Sequence, residues 1–264
     1  LPAMWAAQRM GVPTVIHEKN KRLGMANRFV ADRAARIFVS YDATAGELPA
    51  ERTRVVGNPV RAGFANPPEQ REARARFDLD PNRPVVLVAG GSQGARTINE
   101  AVAGALECFA DGGAQLLWMT GRPDFEHYQA VAAGTGAGVR VFRYIDDMAG
   151  ACAAADLVVC RAGASSTAEL AMLGRAAILV PYPHAAENHQ EENARAFADA
   201  GAAVLLPDAA CTGATLAEQV TRLLDAPEQL DEMGRAAGTL AHPLAAEAIV
   251  EEIITLVFGA PQGA

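Results

Sequence analysis

The chain has 264 residues, of which 50% are apolar and 20% charged, and its mean hydropathy is +0.06. This composition excludes a mainly disordered protein. There are 23 Lys and Arg against 31 Asp and Glu, and the resulting net charge of −8 excludes a strong overall positive field for nucleic acid. We therefore expect no nucleic-acid partner. Any basic surface would be a local patch.

Four cysteines are scattered along the chain without a CxxC pair: Cys108, Cys152, Cys160 and Cys211. This pattern favours neither a disulfide framework nor a zinc site, and it indicates a reducing compartment. The closest approach to a membrane span, at 148–160, is short and interrupted by Asp156. The chain opens at Leu1 without a signal-type apolar run, and we expect an N-terminal portion to be absent.

Short apolar runs rich in β-branched residues alternate with amphipathic or alanine-rich stretches from end to end. The clearest runs are 14–16, 37–39, 85–88, 116–118, 139–141, 157–159, 178–180 and 204–206. This order predicts an α/β protein whose parallel sheets are covered by helices on both faces.

A segment rich in Gly, Pro and Asn, GNPVRAGFANPP, predicts a domain linker at 58–68. Residues 1–57 contain a predicted helix over 1–10, three short strands and a helix near 26–35, which amounts to half a domain and agrees with the absence of an N-terminal portion.

After the linker, residues 69–243 carry six predicted strands with intervening helices, as expected of a complete doubly wound domain. A final helix is predicted at about 244–258. Its apolar stripe must pack on something: it has Leu244, Ile249, Ile253 and Val257 on one face and is widened by Ala248, Ile254 and Phe258. We expect the segment 244–264 to pack back on the N-terminal domain.

Two strand-to-helix junctions carry the strongest local signals. The sequence GGSQGA at 90–95 follows a buried strand, and such a turn lets backbone N–H groups face an anion, with Ser92 adding a hydroxyl. The alternative is a tight turn that needs glycine only for its geometry. The second junction, CRAGASSTAE at 160–169, places Glu169 early in a helix, where its carboxylate either complements the helix dipole or accepts hydrogen bonds from a ribose diol.

The remaining polar candidates each have a structural alternative. Arg61 is either a solvated loop residue or a guanidinium that reaches a diphosphate in the interdomain cleft. The residues at 188–190, including His189 and Gln190, suit sugar hydroxyls or cap a helix. Neither His184 nor His189 has a second ligand at i+4, and the pair at 146–147 fits a helix cap better than a metal site. We therefore predict no metal.

Six motifs together resemble one family in order and spacing: HEKN (17–20), GNPVR (57–61), GGSQGA (90–95), YIDDM (144–148), CRAGASSTAE (160–169) and HQEENA (189–194). They resemble the bacterial undecaprenyl-pyrophosphoryl-muramoylpentapeptide β-N-acetylglucosaminyltransferases, across essentially the whole chain. The resemblance implies a GT-B fold of glycosyltransferase family 28, with two Rossmann-like doubly wound domains, the N-terminal one incomplete here.

The resemblance also implies a reaction. N-acetylglucosamine (GlcNAc) would pass with inversion from UDP-GlcNAc to lipid I, undecaprenyl-pyrophosphoryl-MurNAc-pentapeptide, to make lipid II for peptidoglycan. No cofactor is implied. The enzyme would be peripheral to the cytoplasmic face of the bacterial inner membrane, which it would contact through the N-terminal half that is absent here.

The same resemblance implies roles for single residues. Arg61 and Ser92 would contact the donor diphosphate, the backbone of Ile145 the uracil edge, and Glu169 the ribose hydroxyls. The start of the helix that carries Glu169 would lie beside the phosphates, through Ala164, Ser165, Ser166, Thr167 and Ala168. The GlcNAc hydroxyls would be held by Asn20, His189 and Gln190.

The sequence departs from the family pattern at two places. Lys19 stands where the family usually has Gln, and the family's GGTGGH-type loop with its candidate catalytic histidine is not in this chain. We therefore expect donor binding but not turnover by the chain alone. One alternative is a UDP-GlcNAc 2-epimerase, which needs carboxylates and histidines around the sugar that these motifs do not supply. Another is a donor-binding subunit of a split glycosyltransferase, although a designed split should fall at the linker.

Overall fold

The computed structural model describes residues 1–109, 113–136 and 138–259. Its strands form two sheets, and all the recorded strand pairs are parallel. The first sheet has the order β1-β2-β3, with β1 at Val15–Glu18, β2 at Arg36–Val39 and β3 at Thr53–Val55. The second has the order β6-β5-β4-β7-β8-β9, with β4 at Val85–Ala89, β5 at Gln115–Met119, β6 at Val139–Phe142, β7 at Leu157–Cys160, β8 at Ala177–Leu179 and β9 at Ala203–Leu205.

Helices connect these strands. Those of the first half are α1 (Pro2–Arg9), α2 (Met25–Ala31), α3 (Asp42–Ala45), α4 (Ala62–Ala65), α5 (Gln70–Arg76) and α6 (Arg96–Gly104). Those of the second half are α7 (Phe125–Ala132), α8 (Met148–Ala154), α9 (Ala164–Leu173), α10 (His189–Asp199), α11 (Gly213–Leu224), α12 (Pro227–Gly238) and α13 (Ala245–Phe258).

The six-stranded sheet is buried on both faces. In β4 the side chains of Val85 and Leu87 belong to one core cluster, and those of Val86 and Val88 belong to another. Because successive side chains of a strand point to opposite faces, one apolar run supplies two cores. The predicted α/β class, with parallel sheets covered on both sides, is confirmed.

The predicted linker contains one turn of helix that the sequence pattern did not indicate. This helix, α4, is anchored by Phe64, whose side chain is only 1% exposed and packs in the core of the large sheet. At the start of the linker Gly57 has a φ of +81°, and a Cβ there would lie 2.1 Å from the Cβ of His242. Only glycine therefore allows the linker to pass so close to the segment before α13.

Asp147 caps α8, as its sequence position predicts. Its carboxylate accepts a hydrogen bond from the backbone N–H of Gly150 at 2.9 Å. We expect Asp147→Ala to lower the free energy of unfolding by about 1 kcal/mol, because one N–H of the first turn loses its acceptor. Chemical denaturation measures the change. Asp146→Ala is the matched control, and an equal loss in both variants would contradict the capping role.

The C-terminal helix differs from its prediction. Ala245 is the residue of α13 that is buried, whereas Ile254, Val257 and Phe258 are 49%, 62% and 82% exposed. The expectation that the whole stripe packs is thus not met for these side chains among the described residues. Residues 260–264 of the predicted segment lie outside the described residues.

Ion pairs tie α13 to the three-stranded sheet. The carboxylate of Glu252 lies 2.9 Å from Nε of Arg36 in β2 and 3.3 Å from Nε of Arg54 in β3. Hydrogen bonding to Arg36, with the nearby charges, lowers the pKa of Glu252. Within the described ranges, no helix is both long and apolar enough to cross a membrane.

Candidate functional site

A cavity of about 220 Å³ opens at the carboxyl ends of β4 and β7. After β4 the chain moves outward through β5 and β6 and then returns to form β7 on the other side of β4. This reversal is the switch point at which open α/β sheets bind ligands, because the loops after the two strands diverge and leave a crevice. Ser92, Ser166, Glu169 and Arg61 line the cavity, so residues from both junctions and from the linker meet at one place.

The glycine-rich loop after β4 is shaped by close backbone contact with the turn after β5. Gly91 and Gly94 have φ values of +87° and +78°. A Cβ on Gly94 would lie 2.6 Å from the carbonyl oxygen of Thr120, and one on Gly121 would lie 2.3 Å from the nitrogen of Gly94. Each of the two turns therefore fixes the backbone position of the other. Ser92, in the glycine-rich loop that precedes α6, is exposed.

The amino end of α9 supplies a second set of backbone donors. Its first intrahelical bond runs from the N–H of Thr167 to the carbonyl of Gly163 at 3.0 Å, so the preceding N–H groups of 164–166 have no acceptor within the helix. The Thr167 hydroxyl is turned inward and donates to the carbonyls of Gly163 and Ala164. The N–H and the hydroxyl of Thr167 are thus both engaged within the start of the helix.

Arg61 and Glu169 form an ion pair at the mouth of the cavity. Nε and one terminal nitrogen of Arg61 each lie 3.0 Å from the same carboxylate oxygen of Glu169. The Glu169 side chain is 16% exposed and that of Arg61 57%. Burial raises the pKa of Glu169, and the charge of Arg61 acts in the opposite direction. The two residues predicted to bind different parts of one ligand are therefore ion-pair partners in this structure.

The floor of the cavity is apolar. Leu87, Met119 and Val158 line it together with Cys152 and Cys160. Burial raises the pKa of the Cys160 thiol to about 12, and it raises that of Cys152 further, so both remain neutral. A flat, weakly polar ring would fit against such a floor.

Ile145, whose backbone is predicted to contact the uracil edge, is a buried residue. Ile145 is 3% exposed, and its N–H points to the sulfur of Met119 at 3.4 Å. Its neighbour Tyr144 lines the cavity instead. A ligand that bonded the backbone of Ile145 would have to replace a weak N–H to sulfur contact.

Asn20 belongs to a network centred on a buried carboxylate. Glu18, 4% exposed, accepts hydrogen bonds from the backbone and side chain of Asn20, from the N–H of Gly24 and from the side chain of Asn27. Sequence reasoning missed Glu18 as an organising group. Its position at the end of a predicted strand, inside the HEKN motif, was the available signal.

Asn193 links this network to the part of the chain that forms the six-stranded sheet. Its Nδ2 donates to Asn20 Oδ1 and to the carbonyl of Ala162, and its Oδ1 accepts from the N–H of Lys21, each at 3.2 Å. The residue is 0% exposed and was also missed, although it lies within the HQEENA motif. The Asn20 loop is therefore held against α10 and the end of β7.

We expect Asn193→Ala to lower the free energy of unfolding by about 1–2 kcal/mol, because Lys21 N–H loses a buried acceptor and Ala162 a donor. Thermal unfolding reports the loss, and Asn66→Ala, at an exposed position, is the control. A variant as stable as this control would show that water replaces the amide at no cost.

His189 and Gln190 open α10 as predicted, but outside the 220 Å³ cavity. Gln190 Oε1 accepts from the backbone N–H of Tyr182 at 3.0 Å. The alternative of helix capping is wrong for Asn188, whose side chain donates to Glu191 and makes no cap hydrogen bond. No group of three or more His, Cys, Asp or Glu side chains that could hold a metal occurs in the part of the chain that the structure describes.

Comparison with known families agrees with this architecture. Residues 85–249 match the glycosyltransferase family 28 C-terminal domain, and residues 1–39 match the N-terminal domain of the same family. The UDP-N-acetylglucosamine–N-acetylmuramyl-(pentapeptide) pyrophosphoryl-undecaprenol N-acetylglucosamine transferase of Myxococcus xanthus is 38% identical over 97% of this chain and 66% of its own length. The Nitratidesulfovibrio vulgaris protein of the same name is 40% identical, over 97% of this chain and 70% of its own.

Solved structures give the same grouping. MurG from Acinetobacter baumannii superposes with a TM-score of 0.79 at 31% identity, covering 96% of this chain and 69% of that one. A putative UDP-N-acetylglucosamine 2-epimerase from Listeria monocytogenes has a TM-score of 0.69 at 16% identity, over 98% of this chain and 72% of that one, and shares the fold alone. The chain thus spans about two thirds of the length of these proteins. By its two domain matches and by its relatives, the chain belongs to glycosyltransferase family 28 and, within that family, to the MurG group.

Proposed function

We propose that the chain carries the donor half of an inverting glycosyltransferase that moves GlcNAc from UDP-GlcNAc to lipid I and so forms lipid II. The observation that carries this proposal is the convergence of Ser92 in the glycine-rich loop, Ser166 in the first turn of α9 and the Arg61–Glu169 pair on one cavity at the switch point. The names of the family relatives support the donor and the acceptor.

In this proposal the diphosphate lies between the glycine-rich loop and the amino end of α9. There the backbone N–H groups of the glycine-rich loop and of residues 164–166 can donate to its oxygens, and Ser92 adds a hydroxyl. Arg61, with 57% of its side chain exposed, can leave Glu169 and bind a phosphate, because a guanidinium matches two phosphate oxygens at once. Glu169 is then free to accept from both ribose hydroxyls.

These contacts assist departure of the donor nucleotide. The muramoyl 4-hydroxyl attacks the anomeric carbon of GlcNAc, the carbon–oxygen bond to UDP breaks, and negative charge grows on the diphosphate. Donors already aimed at that charge stabilise the transition state more than the ground state. The base that takes the hydroxyl proton is proposed to be the histidine of the family's GGTGGH-type loop, a motif outside this sequence.

Sugar selection is assigned to the Asn20 loop and to the start of α10. Asn20, His189 and Gln190 carry amide and imidazole groups that can donate to and accept from hydroxyls, and the Asn193 bridge holds the first of them beside α10. The site of action is proposed to be the cytoplasmic face of the bacterial inner membrane, where the lipid acceptor is available to a peripheral enzyme.

Calorimetric titration with UDP-GlcNAc tests the proposal, with UDP-galactose as the competing nucleotide sugar. Selective binding of UDP-GlcNAc is expected. A folded sample that binds neither nucleotide sugar, or binds both equally well, would contradict an autonomous and selective donor site.

A further inference from the structure

A cavity larger than the donor cavity lies away from it, at the amino edge of the same sheet. It has a volume of about 780 Å³ and is bordered by residues just before β4, β7 and β8, together with the end of α9 and residues along the whole of α12. Because all these strands run in the same direction, this cavity and the donor cavity open at opposite edges of the sheet. A volume of this size falls in the range that accommodates nucleotide-sized ligands.

The walls of this cavity are rich in guanidinium groups, although the chain as a whole has a net charge of −8. Four arginines and two aspartates line it: Arg74, Arg83, Arg175, Arg235, Asp156 and Asp231. Arginine is the side chain best suited to bind phosphate and carboxylate oxygens, so the excess favours an anionic occupant.

Two of these arginines, Arg74 and Arg83, already form hydrogen bonds within the protein. Arg74 lies 2.6 Å from Asp156, whose carboxylate also accepts from the N–H of Val85 at 2.7 Å and from Gln70 at 3.1 Å. Arg83 donates through two nitrogens to the carbonyl of Gly113. These contacts hold the wall of the cavity together. The positive charge of Arg74 balances the negative charge of Asp156.

Arg175 and Arg235 remain available. In Arg175 one terminal nitrogen donates to the carbonyl of Ala153 at 2.9 Å, while its buried Nε has no hydrogen-bond partner within the described ranges. Such a group ordinarily costs stability, and burial accordingly lowers the pKa of this guanidinium. Arg235 is exposed on α12 and makes no ion pair in the described part of the chain.

We propose that this cavity is a second ligand site, which binds a phosphate-bearing anion between Arg175 and Arg235. An anion there faces the guanidinium groups of Arg175 and Arg235, which both line the cavity. The opposing charges are Asp231, one helical turn before Arg235, and Asp156, whose charge also acts on Arg175.

Helix α9 connects this site to the donor cavity. Arg175 follows Gly174, the residue that ends α9, and Glu169 lies on the same helix. An anion held at Arg175 therefore lies beside the carboxyl end of the helix whose amino end is assigned to the donor diphosphate, where the positive charge of Arg175 must outweigh the unfavourable helix dipole. The binding proposal itself is independent of the donor assignment.

Chemical-shift mapping of the full chain tests the proposal, with inorganic pyrophosphate and ADP as probes and sodium chloride as the ionic-strength control. We expect both probes to shift the Arg175 Nε–Hε signal and the amides of Gly174 and Gly234, separately from any shift at Gly91 and Ser92. A stronger shift with ADP than with pyrophosphate identifies a nucleotide as the occupant. The reverse order identifies free phosphate compounds.

Two variants complete the test. Arg235→Gln, at an exposed position, and Arg175→Gln should each weaken probe binding at this cavity by about tenfold, whereas Arg195→Gln on α10 should leave it unchanged. Arg235→Gln keeps the test valid if Arg175→Gln does not fold. Shifts confined to Gly91 and Ser92, shifts matched by sodium chloride, or equal binding by Arg235→Gln and Arg195→Gln would overturn the proposal.

Discussion

Replacing Glu169 by Ala is expected to weaken UDP-GlcNAc binding by ten- to hundredfold, equivalent to about 1.5–3 kcal/mol. The carboxylate is 16% exposed and is proposed to accept two hydrogen bonds from the ribose. Hydrogen bonds to a charged, partly buried acceptor contribute more than neutral ones, because water competes less for the acceptor. Calorimetric titration gives the dissociation constant directly.

The matched control is Glu218→Ala, which removes an exposed glutamate on α11. It should bind the donor as the wild-type chain does. An unchanged dissociation constant in Glu169→Ala would refute the ribose assignment, and equal losses in both variants would point to a nonspecific effect of charge.

Glu169→Gln separates the charge of this group from its shape. Because burial raises the pKa of Glu169 in the folded chain, folding favours its protonated form. The stability associated with protonation is present at low pH and is lost as pH rises through the raised pKa. At pH 7 the Gln variant should therefore unfold at the same temperature as wild type or at a higher one, while binding the donor less well.

The same shift predicts a pH dependence of donor binding. Since the ribose contact needs the ionised carboxylate, wild-type affinity should fall with decreasing pH earlier than an ordinary glutamate would cause. The Gln variant should lack this component. Titrations of both proteins across the acidic range check the expectation, and parallel profiles would exclude Glu169 as the titrating group.

The second large effect is expected at Gly121, where Ala should lower the free energy of unfolding by about 3 kcal/mol or more. The new Cβ would lie 2.3 Å from the nitrogen of Gly94, so either the turn after β5 or the glycine-rich loop must move. Displacement of that loop should also weaken donor binding, because its N–H groups are aimed at the proposed diphosphate position.

Gly91→Ala is the matched control, since Gly91 has the same φ of +87° but a Cβ added there would meet no heavy atom within 4 Å outside the adjoining residues. Its free energy of unfolding should fall only by the cost of the backbone conformation, about 1–2 kcal/mol. Denaturant titration of the two variants isolates the steric contribution. If both variants lose the same amount, the close approach of the two turns contributes nothing beyond backbone conformation.

Local sequence determined the secondary structure to a large extent. All eight predicted apolar runs overlap a strand of the structure, because β-branched residues and the alternation of strand and helix patterns act over a few neighbouring residues. The Asp147 cap was predictable for the same reason, since donor and acceptor lie three residues apart. The six motifs also led to the correct family, because their order along the chain is a property of the sequence itself.

Only the tertiary structure decided which side chains meet. Arg61 and Glu169 are 108 positions apart, and Asn20 and Asn193 are 173 apart, so neither pair leaves a local pattern. The apolar face of α13 could not reveal that Ile254 and Phe258 remain exposed, and nothing near Arg175 in sequence shows that its Nε is buried without a partner among the described residues. Local patterns select helices and strands, whereas the contacts between distant elements arise only when the sheets and the linker close around one another.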